Sequence, residues 1–112
     1  MERRVVITGL GAITPIGKDV NESWNSILNK KCGIDNISLF DNSTFKTKVD
    51  AEVKNYESQE YFDLKQSKRL DRSSQFAIIA SREAFKDSGI TKENTDFERV
   101  GVFVSSGIAG LS

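Results

Sequence analysis

Two short runs of β-branched and aromatic residues near opposite ends of the chain constrain its fold more than any other feature. Residues 4–8 read R-V-V-I-T and residues 100–104 read V-G-V-F-V. Each is a short continuous apolar run, the pattern of a strand covered on both faces of its sheet. The order strand, helix, edge strand, long helix, strand predicts an α/β layered fold. Two such strands cannot by themselves make a sheet covered on both faces. Together with the wide apolar arc of the long helix, they predict packing partners beyond these residues and an incomplete fold within them.

Local signals place the intervening elements. Gly9, Gly11, Pro15 and Gly17 break the first strand into a loop. Asp19 and Glu22 form a D-x-x-E helix start, similar to a capping box. Val20, Trp24, Ile27 and Leu28 then share one helical face. Lys30 and Lys31 are expected near the negative end of that helix, and Gly33 as its left-handed stop. Residues 46–53, K-T-K-V-D-A-E-V, alternate so that Val49, Ala51 and Val53 share one face of an edge strand or hairpin arm. A short helical turn is expected over residues 63–69.

Residues 72–88 carry the clearest helix, with Asp71 as N-cap. Phe76, Ile79, Ala80 and Ala84 line one side, Ile78 and Phe85 another, so it is expected to be buried on more than one side. Ala77, Ala80 and Ala84 permit close packing. Gly89 should end the helix, with Ile90 against Phe85. A polar connection over residues 91–99 leads to the last strand.

A length of 112 residues allows one small domain at most, so residues 1–112 are read as a single partial domain with no second one. Sixteen Lys and Arg balance sixteen Asp and Glu, so no global charge drives binding to nucleic acid or membrane. The single cysteine excludes an internal disulfide and favours a reducing, cytoplasmic setting. No secretory signal and no membrane span is expected, because no apolar stretch approaches about 18 residues. The glycosylation patterns at Asn21 and Asn42 are read as chance matches to a short motif.

Several motifs resemble sites and fail on spacing. Gly9-Leu10-Gly11 stands where a dinucleotide-binding turn would, but Thr14 occupies the third glycine position. Gly11 to Lys18 nearly matches a phosphate loop, yet five residues separate Gly11 from Gly17, and Asp19 replaces the magnesium-holding hydroxyl. A tight strand-to-helix crossing accounts for these glycines and the proline. Cys32 has no histidine to activate it and is expected at a helix C-terminus, which disfavours a thiolate, so it is read as structural or surface. Lack of histidine and of a cysteine cluster also argues against a metal site.

Two segments remain open on the residues alone. Lys65, Lys68, Arg69 and Arg72 cluster with only Asp71 to oppose them. This is either a solvated helix start or a docking patch for an acidic partner. The terminal S-S-G-I-A-G-L, residues 105–111, is either an ordinary glycine-rich turn or a ligand loop leaving a buried strand. Ile108, a large apolar side chain among small ones, suits an apolar pocket.

Taken together, R-R-V-V-I-T-G-L-G at residues 3–11, Pro15-x-Gly17, C-G-I at 32–34, L-D-R-S-S-Q-F-A at 70–77, D-S-G at 87–89 and R-V-G-V-F-V-S-S-G-I-A-G at 99–110 resemble the β-ketoacyl-[acyl-carrier-protein] synthase family. The match is to the N-terminal quarter of its synthase II type and covers essentially the whole chain. No single motif is decisive, but their order and spacing are specific. The resemblance implies a thiolase-like layered α/β fold, homodimers, and condensation of a cysteine-bound acyl chain with malonyl-carrier protein in fatty acid elongation. It implies no cofactor. The family's catalytic cysteine and two histidines match nothing in these residues, so no catalytic residue is assigned, and the 112 residues alone are expected to be inactive.

By the same resemblance, Ile108 matches an isoleucine lining the acyl pocket. Lys65, Lys68 and Arg69 match the basic surface that docks acyl carrier protein. Ser105 and Ala109 depart from the glycines common in the loop, which bears on pocket shape. A non-catalytic chain-length-determining partner and a discrete polyketide ketosynthase share the same motifs and stay open. A short independent binding module is disfavoured by the apolar strand edges and helix faces.

Overall fold

The computed structural model describes residues 2–110, and Leu111 of the terminal glycine-rich motif lies outside them. The chain forms two compact units. One is Ala12–Glu57; the other comprises the described residues of Met1–Gly11 and Ser58–Ser112.

In the unit Ala12–Glu57, helix α1 spans Val20–Leu28. The Asp19 carboxylate accepts from the Glu22 amide at 2.7 Å, and Glu22 accepts from the Lys18 amide at 2.8 Å. This reciprocal pairing satisfies donors that a helix start otherwise leaves open. Just before it, Thr14 and Gly17 exchange backbone hydrogen bonds of 2.8 and 3.3 Å across Pro15 and Ile16. That turn docks on α1 through hydroxyls. Thr14 Oγ1 lies 2.9 Å from Ser23 Oγ, and Ser26 Oγ donates to the Ile16 carbonyl at 2.6 Å. Gly17 is required there, because a Cβ would stand 2.6 Å from Ser23 Oγ.

Three expectations for this region are corrected. The covered face of α1 is that of Ser23 and Ser26, while Trp24, Ile27 and Leu28 are exposed. The turn seats its polar backbone on the serines, and nothing in this unit covers the apolar side. Gly33 does not stop the helix. Lys30 does, at φ 55°: its amide donates to the Ile27 carbonyl at 2.9 Å and the Lys31 amide to the Ser26 carbonyl at 2.9 Å, the two bonds of a Schellman stop. Lys30 and Lys31 therefore lie past the last turn, and Gly33 instead packs on Pro15, where a Cβ would come within 2.9 Å of Pro15 Cβ.

Strands β1, Asp35–Asn36, and β2, Val49–Asp50, pair antiparallel with Asp35 opposite Asp50 and Asn36 opposite Val49. A hairpin arm is present, but its alternation runs opposite to expectation. Glu52 is buried at 6% exposure while Val49 is exposed. The reason is specific. Glu52 accepts hydrogen bonds from the Ser38 amide at 2.9 Å, the Leu39 amide at 3.0 Å and the Ser38 hydroxyl. A buried carboxylate is tolerated when its lone pairs are met in this way. An ion pair of 2.6 Å from Lys54 to Asp35 closes the other end of the arm.

In the second unit, a 3₁₀ turn at Ser58–Glu60 precedes helices α2, Leu64–Arg69, and α3, Arg72–Ser88. Asp63 caps α2 by accepting from the Gln66 amide at 2.7 Å, and Asp71 caps α3 by accepting from the Ser74 amide at 2.6 Å. The side chain of Phe62 is buried, and the Arg82 guanidinium lies over its ring at 5.2 Å. Residues 9–11 run directly over α3: the Leu10 amide donates to Asp87 at 2.9 Å, and neither Gly9 nor Gly11 has room for a side chain. Ala80 and Ala84 thus admit a close approach, but its partner is the opening segment rather than another helix, and Ala77 takes no part in it.

Helix α3 stops at Gly89, φ 67°. Ser88 completes the stop: its hydroxyl donates to the Phe85 carbonyl at 2.7 Å and accepts from the Ile90 amide at 3.2 Å. Phe85 meets Phe97 edge to face, with ring centres 6.1 Å apart. Phe97 belongs to a second 3₁₀ turn, Phe97–Arg99, capped by Asp96.

Residues 4–8 and 100–104 do not form strands. A strand is defined by its ladder, and no ladder joins these runs to anything among the described residues. Val5 is 92% exposed and Phe103 97%. The apolar character that the sequence reserves for a covered sheet is left facing solvent. Helix and sheet are both present, as an incomplete α/β layer requires.

Candidate functional site

Helix α2 gathers three cations. Lys65, Lys68 and Arg69 stand at i, i+3 and i+4, which places them on one helical face. All three are exposed. Lys68 and Arg69 occupy the last turn, where the helix carries partial negative charge and favours cations. Arg72, the fourth cation of the cluster, is on α3 with its guanidinium 5.1 Å from the centre of the Phe76 ring. The structure thus groups three of the four on α2 and directs the fourth to an aromatic face.

The end of α2 is tied to α3 by a residue that sequence reasoning passed over. Gln75 is buried, and its Nε2 donates to the Ser67 carbonyl at 3.0 Å and the Leu70 carbonyl at 2.8 Å. These carbonyls belong to the end of a short helix, where backbone acceptors lack intrahelical partners. The available signal was a lone amide inside an otherwise apolar helical face, between Asp71 and Ile79.

The terminal loop borders a groove. A space of about 630 Å³ lies between Ser73, Phe76 and Ala77 of α3 and Val104, Ser105 and Ala109. It continues as a smaller space between Ala77, Ile78 and Ser81 on one side and Val102 and Val104 on the other. Ile108 is on this loop but is 76% exposed and is not among the side chains lining the groove. Gly110 has φ 71° and stands against the α3 cap, where a Cβ would lie 2.8 Å from Asp71 Oδ2. Asp71 is held below the usual carboxylate range by the Ser74 amide first, then by the Ser74 and Ser73 hydroxyls.

Cys32 is exposed, and its thiol faces only the Ile34 carbonyl at 3.8 Å. Among the described residues no group of three His, Cys, Asp or Glu converges as metal ligands, and no helix is long and apolar enough to cross a membrane. The groove beside α3 and the cationic face of α2 are the candidate binding features.

Comparison with known proteins bears on what they bind. The family model described as "Beta-ketoacyl synthase, N-terminal domain" matches residues 2–112. The 3-oxoacyl-[acyl-carrier-protein] synthase 2 of Staphylococcus aureus (strain N315) is 40% identical over 109 residues, which is 97% of this chain and 26% of that protein. The protein of the same name from Coxiella burnetii (strain RSA 493 / Nine Mile phase I) is 42% identical over 110 residues, 98% of this chain and 27% of its own length. A solved structure titled "The ishigamide ketosynthase/chain length factor" superposes with a TM-score of 0.69 at 31% identity, over 84% of this chain and 23% of that one. The chain spans about a quarter of the length of the curated relatives it matches.

Proposed function

The chain belongs to the β-ketoacyl synthase family, matching its N-terminal domain, and from that premise we propose that it serves decarboxylative acyl condensation in fatty acid elongation. The reaction joins an enzyme-bound acyl thioester to the malonyl group of a carrier protein. A carbon–carbon bond forms between the acyl carbonyl and the malonyl methylene. The malonyl carboxylate leaves as carbon dioxide, and its electron pair supplies the attacking carbanion. The acyl group leaves the enzyme thiol, giving a β-ketoacyl-carrier thioester. The carrying observation is the 40% identity to a 3-oxoacyl-[acyl-carrier-protein] synthase 2 along 97% of this chain.

Within that reading, residues 1–112 contribute part of one N-terminal domain in a cytoplasmic homodimer. Lys65, Lys68 and Arg69 form the surface that receives acyl carrier protein. Their shared face on α2 supports this role, since clustered charge raises the on-rate of an oppositely charged partner. Ile108 lines the acyl pocket. Its place on the loop whose residues Ser106 and Ala109 line the α3 groove supports this.

The test is an assay of the complete protein with acyl- and malonyl-carrier protein. Formation of β-ketoacyl-carrier with matching carbon dioxide release is the expected result. No condensation under conditions where a known synthase works would overturn it. A second reading has its own observation, the likeness to a ketosynthase/chain length factor structure at 31% identity. It makes this chain a non-catalytic, chain-length-determining partner. In that case the complete protein is inactive alone and alters product length only when mixed with a catalytic subunit.

A further inference from the structure

The face that docks the carrier sits on a helix of only six residues, Leu64–Arg69. So short a helix is not stable by itself, and its orientation must come from tertiary contacts. Its own residues supply few, since none of them is buried. The Asp63 cap holds the first turn. At the other end, the buried Gln75 amide bridges the Ser67 and Leu70 carbonyls, one inside the last turn and one just beyond it. Both bonds come from one nitrogen on α3, a helix of 17 residues whose second half, from Ala80 to Ser88, is anchored by the close packing of residues 9–11.

We propose that Gln75 is the positioning residue of the carrier-docking face, holding the end of α2 so that Lys65, Lys68 and Arg69 present their charges as one rigid patch. This rests on the docking role given above to those three residues. Gln75 itself never meets the carrier. It acts by keeping the side chains of Lys68 and Arg69, which lie between Ser67 and Leu70, from moving with a frayed turn. A merely apolar filler would occupy the same space but remove the donor from two part-buried carbonyls.

The experiment uses the complete protein with Gln75→Leu, with Gln75→Asn as a second variant that keeps the amide on a shorter side chain. Amide hydrogen exchange over residues 64–70 and the KM for acyl-carrier protein and for a small acyl thioester are measured for each. Gln75→Leu is expected to speed exchange in α2 and raise the carrier KM roughly five- to tenfold, the size of one or two neutral hydrogen bonds. The small-thioester KM and kcat should not move, and Gln75→Asn should restore part of the loss. Unchanged exchange in α2, or equal effects on both substrates, would overturn the positioning role. A Lys65→Glu, Lys68→Glu, Arg69→Glu triple variant run alongside separates the two ideas. If that variant leaves the carrier KM unchanged, the docking role falls, while the exchange result still decides whether Gln75 holds α2.

Discussion

Gly11 lies so close to Ala80 that a side chain on Gly11 would overlap the Ala80 carbonyl oxygen and stand 2.7 Å from the Ala84 amide nitrogen. The neighbouring Gly9 is as confined one turn on, where a Cβ would stand 2.8 Å from the Ser88 Cα. Neither glycine has a positive φ, so they are present for closeness and not for backbone conformation. The motif G-L-G is thus a packing device against the main chain of α3, with the Leu10 amide hydrogen-bonded to Asp87 between the two contacts.

Gly11→Ala is therefore expected to destabilise the complete protein by about 1–3 kcal/mol through overpacking. Chemical or thermal unfolding measures it. Adding Ala80→Gly should not rescue the loss, because the obstacle is a backbone oxygen. Full rescue would show that the contact is between side chains.

The stop of α1 carries strain that the stop of α3 avoids. Lys30 sits at φ 55° with a side chain, whereas Gly89 takes φ 67° without one. Lys30→Gly should raise stability by about 1 kcal/mol, the cost of the left-handed region for an ordinary residue. Gly89→Ala should lower it by a similar amount. Both are read as shifts in Tm. A Lys30→Gly variant that unfolds earlier than the parent would mean that the lysine side chain contributes contacts outweighing the strain.

Glu52 ties its hairpin to acid stability. Its carboxyl is held below the usual value of 4.5 by the Ser38 hydroxyl first, then by the Ser38 amide, with the Leu39 amide adding to them. A depressed folded pKa means that the contribution is present above the unfolded pKa and is lost as pH falls through the folded one. Exchange at the Ser38 and Leu39 amides should therefore lose protection only as pH falls below the usual carboxylate value of 4.5 and through the lowered folded one. In Glu52→Gln that pH dependence should disappear. Equal acid sensitivity in both proteins would place the titration elsewhere.

Ile108 belongs to a loop whose neighbours Ser106 and Ala109 line the α3 groove. If it closes the acyl pocket, Ile108→Phe should shorten the longest acyl chain accepted, while short chains keep their kcat/KM within about twofold. Product profiles by chain length decide this, and an unchanged profile removes Ile108 from the pocket.

Much of this protein was legible from local chemistry. Asp19, Asp71 and Gly89 bound helices because a cap acts within three or four residues of itself, and sequence spacing displays that directly. The family, too, is carried by the order of short motifs. What tertiary structure alone decided involves partners distant in the chain. Leu10 meets Asp87 across 77 positions, and Glu52 meets Ser38 across 14, so neither an exposed-looking glycine pair nor an outward-looking glutamate reveals its place. In α1 the sequence pattern marks an apolar face, but a pattern cannot state which face a given unit covers. The turn at Thr14 and Gly17 carries backbone polar groups that need partners, and Ser23 and Ser26 provide them. Burial there follows hydrogen bonding, and the apolar runs of residues 4–8 and 100–104 stay exposed because a ladder requires a second strand alongside.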